Sequence, residues 1–147
     1  MTARTSAGTI ISIGPAPATI NETGFEAVTV VPIGEITDAG EYGKVFALVT
    51  HNPLSSRTTE KFKGSFNNGS ITLALAINEE DAGQVSALSA LETDNSFTIK
   101  VTKQNGSVDY FTAQVMSFTT SVGSVDSIES GSIMLEIDSE IVPVAAA

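Results

Sequence analysis

The side chains best suited to chemistry are one histidine, several groups of carboxylates and three Asn-x-Ser/Thr triplets. His51 is the only histidine. A hydrolytic triad would need it beside an activated serine and an orienting carboxylate. No serine stands in a Gly-x-Ser-x-Gly turn, the strained elbow that exposes such a nucleophile. The chain has no cysteine, which excludes thiol catalysis, cysteine-held metals and disulfides together. Glu79-Glu80-Asp81 reads as the acidic first turn of a helix, where the helix dipole stabilises negative charge. Asp126, Glu129, Glu136, Asp138 and Glu140 lack the spacing of a calcium loop and read as a solvated acidic face. Triplets begin at Asn21, Asn68 and Asn105; the last two carry glycine next and read as turns. No glycine-rich phosphate loop precedes a lysine. These residues specify no catalytic centre, no cofactor and no metal site.

The elements that would position them are mainly strands, marked by period-two alternation between turn residues. Segments 9–13, 28–31, 44–50, 58–66, 70–77, 96–103, 108–115 and 132–137 read as strands. Asn67-Asn68-Gly69 and Asn105-Gly106 predict two hairpins, because Asn and Gly tolerate the positive φ of tight turns. Between them, Ala82, Val85, Leu88 and Leu91 recur at helical spacing beside Ala87. This predicts one amphipathic helix over about 79–91, capped by Asn78 and packed on the sheet. Segments 34–43 and 50–57 read as irregular loops.

At 147 residues, 41% hydrophobic and 16% charged, the chain is expected to form one folded domain without a stabilising metal. Residues 1–8 read as a flexible arm and 138–147 as a tail. Residues 1–8 lack the apolar core of a secretion signal, and no run approaches about 18 apolar residues, so a cytosolic site of synthesis is expected. The formal net charge is -10, which opposes adhesion to phosphate backbones and to anionic membranes. Lys44, Arg57, Lys61 and Lys63 gather around one loop, whereas no Lys or Arg follows Lys103. Such polarity suits a subunit that matches one face to another, head to tail.

Several segments in order carry a resemblance: Thr50-His51-Asn52-Pro53-Leu54, Lys63 to Ser70, Asn78 to Gln84, Tyr110 to Phe118 and Val122 to Ile128. With them the chain resembles the tail tube (major tail) proteins of long-tailed, lambda-like bacteriophages, from about residue 8 to residue 137. The resemblance implies a mainly β, sandwich or barrel-like fold with one flanking helix. It implies a non-enzymatic virion protein, assembled in the host cytoplasm as hexameric rings stacked into a hollow tube. Its partners would be further copies of itself, tail-tip or initiator and terminator proteins, and DNA crossing an acidic lumen without specific binding. An acidic bore would let DNA slide. The helix is expected outside the barrel.

On this reading the loop residues His51, Asn52, Pro53, Leu54, Arg57, Lys61 and Lys63, with the segment 2–8, are the expected ring-to-ring contacts. A headless tail-like bacteriocin or secretion device would use the same subunit. A monomeric β-sandwich binding module is the reading from another class; the absence of tryptophan weakens its use for sugars.

Overall fold

The computed structural model describes residues 3–145. Met1 and Thr2 of the expected arm, and Ala146 and Ala147 of the expected tail, lie outside the described residues. The elements run β1 (Ile10–Gly14), α1 (Glu22–Glu26), β2 (Val31–Pro32), β3 (Ile36–Asp38), β4 (Val45–His51), β5 (Glu60–Asn67), β6 (Ser70–Ala76), α2 (Ala82–Leu91), β7 (Phe97–Thr102), β8 (Val108–Ser121), β9 (Ser130–Ile137) and β10 (Val142–Val144). The fold is mainly β, as expected.

Seven strands form one antiparallel sheet in the order β2-β1-β7-β8-β9-β6-β3, with β10 added to the start of β8. The sheet curls into a half-barrel. Alternation decides its inner face: Ile11 and Ile13, Ile99 and Val101, Phe111 and Val115, Ile133 and Leu135, and Leu73 and Leu75 all point inward and are buried. Cross-strand partners such as Ile13 with Ile99, and Val115 with Leu135, place them on one continuous surface. A bulge at Met116 lets Phe118 return to that face. On the other face Phe25 of α1 stacks on Tyr110 with ring centroids 5.3 Å apart. Asn21 caps α1 by accepting from the Gly24 N–H at 2.7 Å.

The helix α2 packs against β8, β1 and β2. It starts later than expected. Asp81, not Asn78, is the N-cap, and its carboxylate accepts from the Gln84 and Gly34 N–H groups, both at 3.0 Å. Glu79 and Glu80 therefore precede the helix, in a turn where Asn78 accepts from the Glu80 N–H. The expected packing stripe holds only in part: Ala87 is buried and Leu91 packs against the core, but the rest turns outward. Gly83, Gln84, Ala87 and Ala90 are buried, while Val85 and Leu88 are 49% and 50% exposed. Small residues face inward because the helix lies very close to the sheet. A Cβ at Gly83 would stand 2.2 Å from the Pro32 carbonyl oxygen. Gln84 satisfies the polar groups trapped there: its amide donates to the Gly34 and Ala76 carbonyls and accepts from the Asn78 N–H, each at 3.0 Å.

The hairpin at Asn105-Gly106 forms as expected, joining β7 to β8. That at Asn67-Asn68-Gly69 does not. Gly69 takes a positive φ of 87° and Asn67 accepts its N–H at 2.7 Å, but β5 pairs with β4 and β6 pairs with β9 and β3. The turn chemistry is present; it makes a corner between two sheets. The strand expected over 28–31 is reduced to β2, and the segment 34–43 contributes β3. The expected C-terminal tail contributes β10. Asp138 fixes its approach by accepting from the Thr112 and Ser96 hydroxyls.

Gly83→Ala should destabilise the chain by about 1–3 kcal/mol through the Pro32 clash. Gln84→Ala, which leaves three partly buried backbone groups without their side-chain partner, should cost about 1–3 kcal/mol. Leu88→Ala, on the outward stripe, should change stability by about 1 kcal/mol or less. Urea unfolding of the unassembled chain gives all three.

Candidate assembly surface

The expected contact loop is the end of a two-stranded arm. Strands β4 and β5 pair only with each other and form a separate sheet. Every residue of β4 is exposed, and so is all of β5 except the half-buried Gly64. The body thus leaves both sides of the arm uncovered. Register assigns the faces. Leu48 opposite Lys63 and Thr50 opposite Lys61 share one face, and Val49 opposite Phe62 the other. A bulge near Gly64 and Ser65 brings Phe66 onto the lysine face, opposite Phe46. There the two rings meet at 5.3 Å, with the Lys44 ammonium 4.3 Å from the Phe66 centroid and the Lys63 ammonium 4.9 Å from that of Phe46. One face is cationic and aromatic; the other exposes Val45, Val49 and Phe62.

The arm is tied to the body at its root. Tyr42, just before β4, packs against Phe111 at 5.4 Å, and its hydroxyl donates to Asp109. Asp109 is buried and forms an ion pair with Lys103 at 2.9 Å. Burial, then the hydrogen bond to Asp109 and the charge of that carboxylate, push the Tyr42 phenol far above its ordinary value. Lys44 pairs with Glu140 at 3.2 Å, near the surface. The two ends of the arm meet at Gly43 and Gly69, where the Gly43 N–H points to the Asn68 carbonyl at 3.4 Å.

His51 ends β4; Asn52, Pro53, Leu54 and Arg57 lie in the loop at the arm's end, and Lys61 and Lys63 stand on β5. The structure therefore brings all seven onto one projection, with Lys61 and Lys63 on strand rather than loop. Among the described residues Arg57, Lys61 and Lys63 form no ion pair. Residues 44–67 hold four of the seven cations and one of the 17 carboxylates, so the arm carries +3 and the rest of the chain -13.

Sequence reasoning missed the exposed apolar residues of the arm and the Tyr42–Asp109–Lys103 anchor. The first left a signal: Val45-Phe46-Ala47-Leu48-Val49 is apolar without alternation, as in a strand to be covered on both faces. The anchor left none, because its members are 67 residues apart along the chain. Among the described residues no three metal-ligating side chains gather, and no helix is long and apolar enough to cross a membrane.

Protonated Tyr42 contributes stability in full below about pH 10, where unfolded phenols begin to ionise; that contribution is lost as pH rises further. Tyr42→Phe should cost about 1 kcal/mol at pH 7. The gap between wild type and variant should narrow above about pH 10 in urea unfolding.

No family model and no curated protein matches the chain. Solved structures do. A chain of the anti-feeding prophage baseplate, 6-fold symmetrised, is similar with a TM-score of 0.74 and 9% identity, over 99% of this chain and 97% of that one. A chain of the tail of an empty GTA particle, with C6 symmetry, gives 0.72 and 15% identity over 97% and 100%. The SPP1 tail tube gives 0.64 and 14% over 92% and 75%. At these identities the shared property is the fold, and along nearly its whole length this chain has the tail tube fold.

Proposed function

We propose that this chain is a tail tube subunit. It assembles with copies of itself into hexameric rings, which stack into the hollow tube of a virion tail through which DNA passes. One observation carries the reading beyond the fold: the arm exposes Phe46, Leu48, Val49, Phe62 and Phe66 on strands that, among the described residues, pair with no strand of the body. A two-stranded ribbon is at best marginally stable alone in water, and an apolar, uncovered ribbon invites a partner. The six-fold symmetry of the anti-feeding prophage and GTA assemblies supports the ring. The partners are further copies, tail-tip or initiator proteins and a terminator. DNA moves through without specific binding, since a lumen lined from a body of charge -13 repels phosphate. The role is structural rather than enzymatic.

The likeness to the anti-feeding prophage keeps a second reading in place, the tube of a tail-like injection device. The long non-contractile, lambda-like tail rests on the sequence resemblance.

In this assembly the arm residues His51, Asn52, Pro53, Leu54, Arg57, Lys61 and Lys63 make the contact between rings. Negative-stain microscopy of the concentrated protein, with and without tail-tip complexes, should show hollow tubes or six-fold rings. A strict monomer under both conditions would overturn the proposal. Replacing Arg57, Lys61 and Lys63 together by alanine should reduce tube yield by about tenfold or more, since charges across an interface govern encounter and register. Unchanged yield and length would remove the arm from the ring contact.

A further inference from the structure

Past the end of its pairing with β7, β8 runs on as an edge strand beside β9, whose far side β6 covers. Pairing of β7 with β8 stops at Ala113, while β8 continues to Ser121 against β9. Among the described residues no main-chain hydrogen bond crosses the other edge of residues 114–121. The connection from β8 to β9 exposes Val122, Val125 and Ile128, with Val125 98% exposed. It holds Asp126 and Glu129, and no Lys or Arg occurs after residue 103. This second unpartnered surface is apolar and acidic, where the arm is apolar and cationic.

Register fixes where the two surfaces lie. The arm joins the body at Gly69, beside Ser70, and Ser70 is opposite Glu136 on β9. The other end of β6, Ala76, is opposite Ser130, which is opposite Ser121. The arm's root and the β8–β9 connection therefore lie at opposite ends of one strand, about 20 Å apart at the ordinary rise of a strand. Complementary surfaces at opposite ends make a heterologous, head-to-tail contact, which repeats along an axis without closing.

We infer that the arm of one copy seats on the β8–β9 connection of a second copy. Lys61, Lys63 and Arg57 face Asp126 and Glu129, and the apolar side chains of the arm cover Val125 and Ile128. The free edge of residues 114–121 lies next to this contact and offers main-chain groups to an arm strand. The inference rests on the reading of the chain as self-assembling through its arm, and it names the surface that receives the arm.

Because the chain has no cysteine, introduced thiols report contacts directly. Leu48→Cys, on the lysine face of the arm, and Val125→Cys are made in separate chains, mixed, assembled and oxidised, with Leu48→Cys and Leu88→Cys as the control mixture. Charge reversal supplies a second arm: Lys61→Glu with Lys63→Glu, Asp126→Lys with Glu129→Lys, and all four together. Urea unfolding first establishes that each variant is folded. The inference expects heterodimer from the 48–125 mixture at about tenfold the control. Each reversal alone should lower pelletable tube by about tenfold, and the fourfold variant should recover most of it, because like charges facing each other suppress association. If reversal on the arm leaves tube yield unchanged, the arm reading and this inference fall together. If that reversal abolishes tubes but the 48–125 mixture gives no more heterodimer than the control, the arm reading stands and the receiving surface lies elsewhere.

Discussion

A curled sheet that does not close on itself leaves its apolar hollow open, and here α2 closes it at unusually short range. That closeness is the constraint on which the body depends. It requires Gly83 against the Pro32 carbonyl and small residues at Ala87 and Ala90. It also removes backbone groups partly from water, where leaving them unpaired would cost up to about 1–3 kcal/mol each. Gln84 answers three of them, and Asp81 answers both the helix start and Gly34. One short segment thereby ties α2 to the β2–β3 connection and to the end of β6.

Closing the core this way leaves little apolar surface for anything else to cover inside the chain. Most of the exposed large apolar side chains lie along the arm, on the β8–β9 connection, and at Val85 and Leu88 of the helix. Scattered exposed apolar residues are ordinary on a monomer, but contiguous ones on uncovered strands are not. The body is complete as a fold and incomplete as a surface. The anchor of Tyr42 on Asp109 and Phe111 belongs to this division, since with the Lys44–Glu140 ion pair it holds the root of an otherwise uncovered arm.

The body strands were legible in the sequence because each has one buried face, so Ile71, Leu73 and Leu75, or Ile133, Leu135 and Ile137, alternate cleanly. The hairpin at Asn67-Asn68-Gly69 misled for a physical reason. Asn-Gly encodes a local backbone turn, whereas strand pairing is settled by distant partners, here β9 for β6 and β4 for β5. The helix misled similarly. Its three-residue apolar spacing selects Val85 and Leu88, but close approach selects the smallest side chains, and a buried glutamine carries no hydropathy signal. The concentration of cations on the arm was visible in the sequence, because composition along the chain survives folding when the segment folds on itself.

In the proposed assembly, the charge division bears on how copies can repel at a distance and still associate. Bodies of charge -13 repel each other at long range, while the +3 arm attracts only where it touches. Salt acts unequally on the two. At physiological ionic strength the Debye length is about 8 Å, so repulsion between bodies tens of ångströms apart is largely removed, whereas charges in contact across a partly dry interface are screened far less. Moderate salt therefore lowers the barrier to approach more than it weakens the contact. The apolar side chains of the arm, whose burial salt does not screen, then hold what the charges have aligned. A subunit with its charge spread evenly would lose this separation, and repulsion and attraction would fade together.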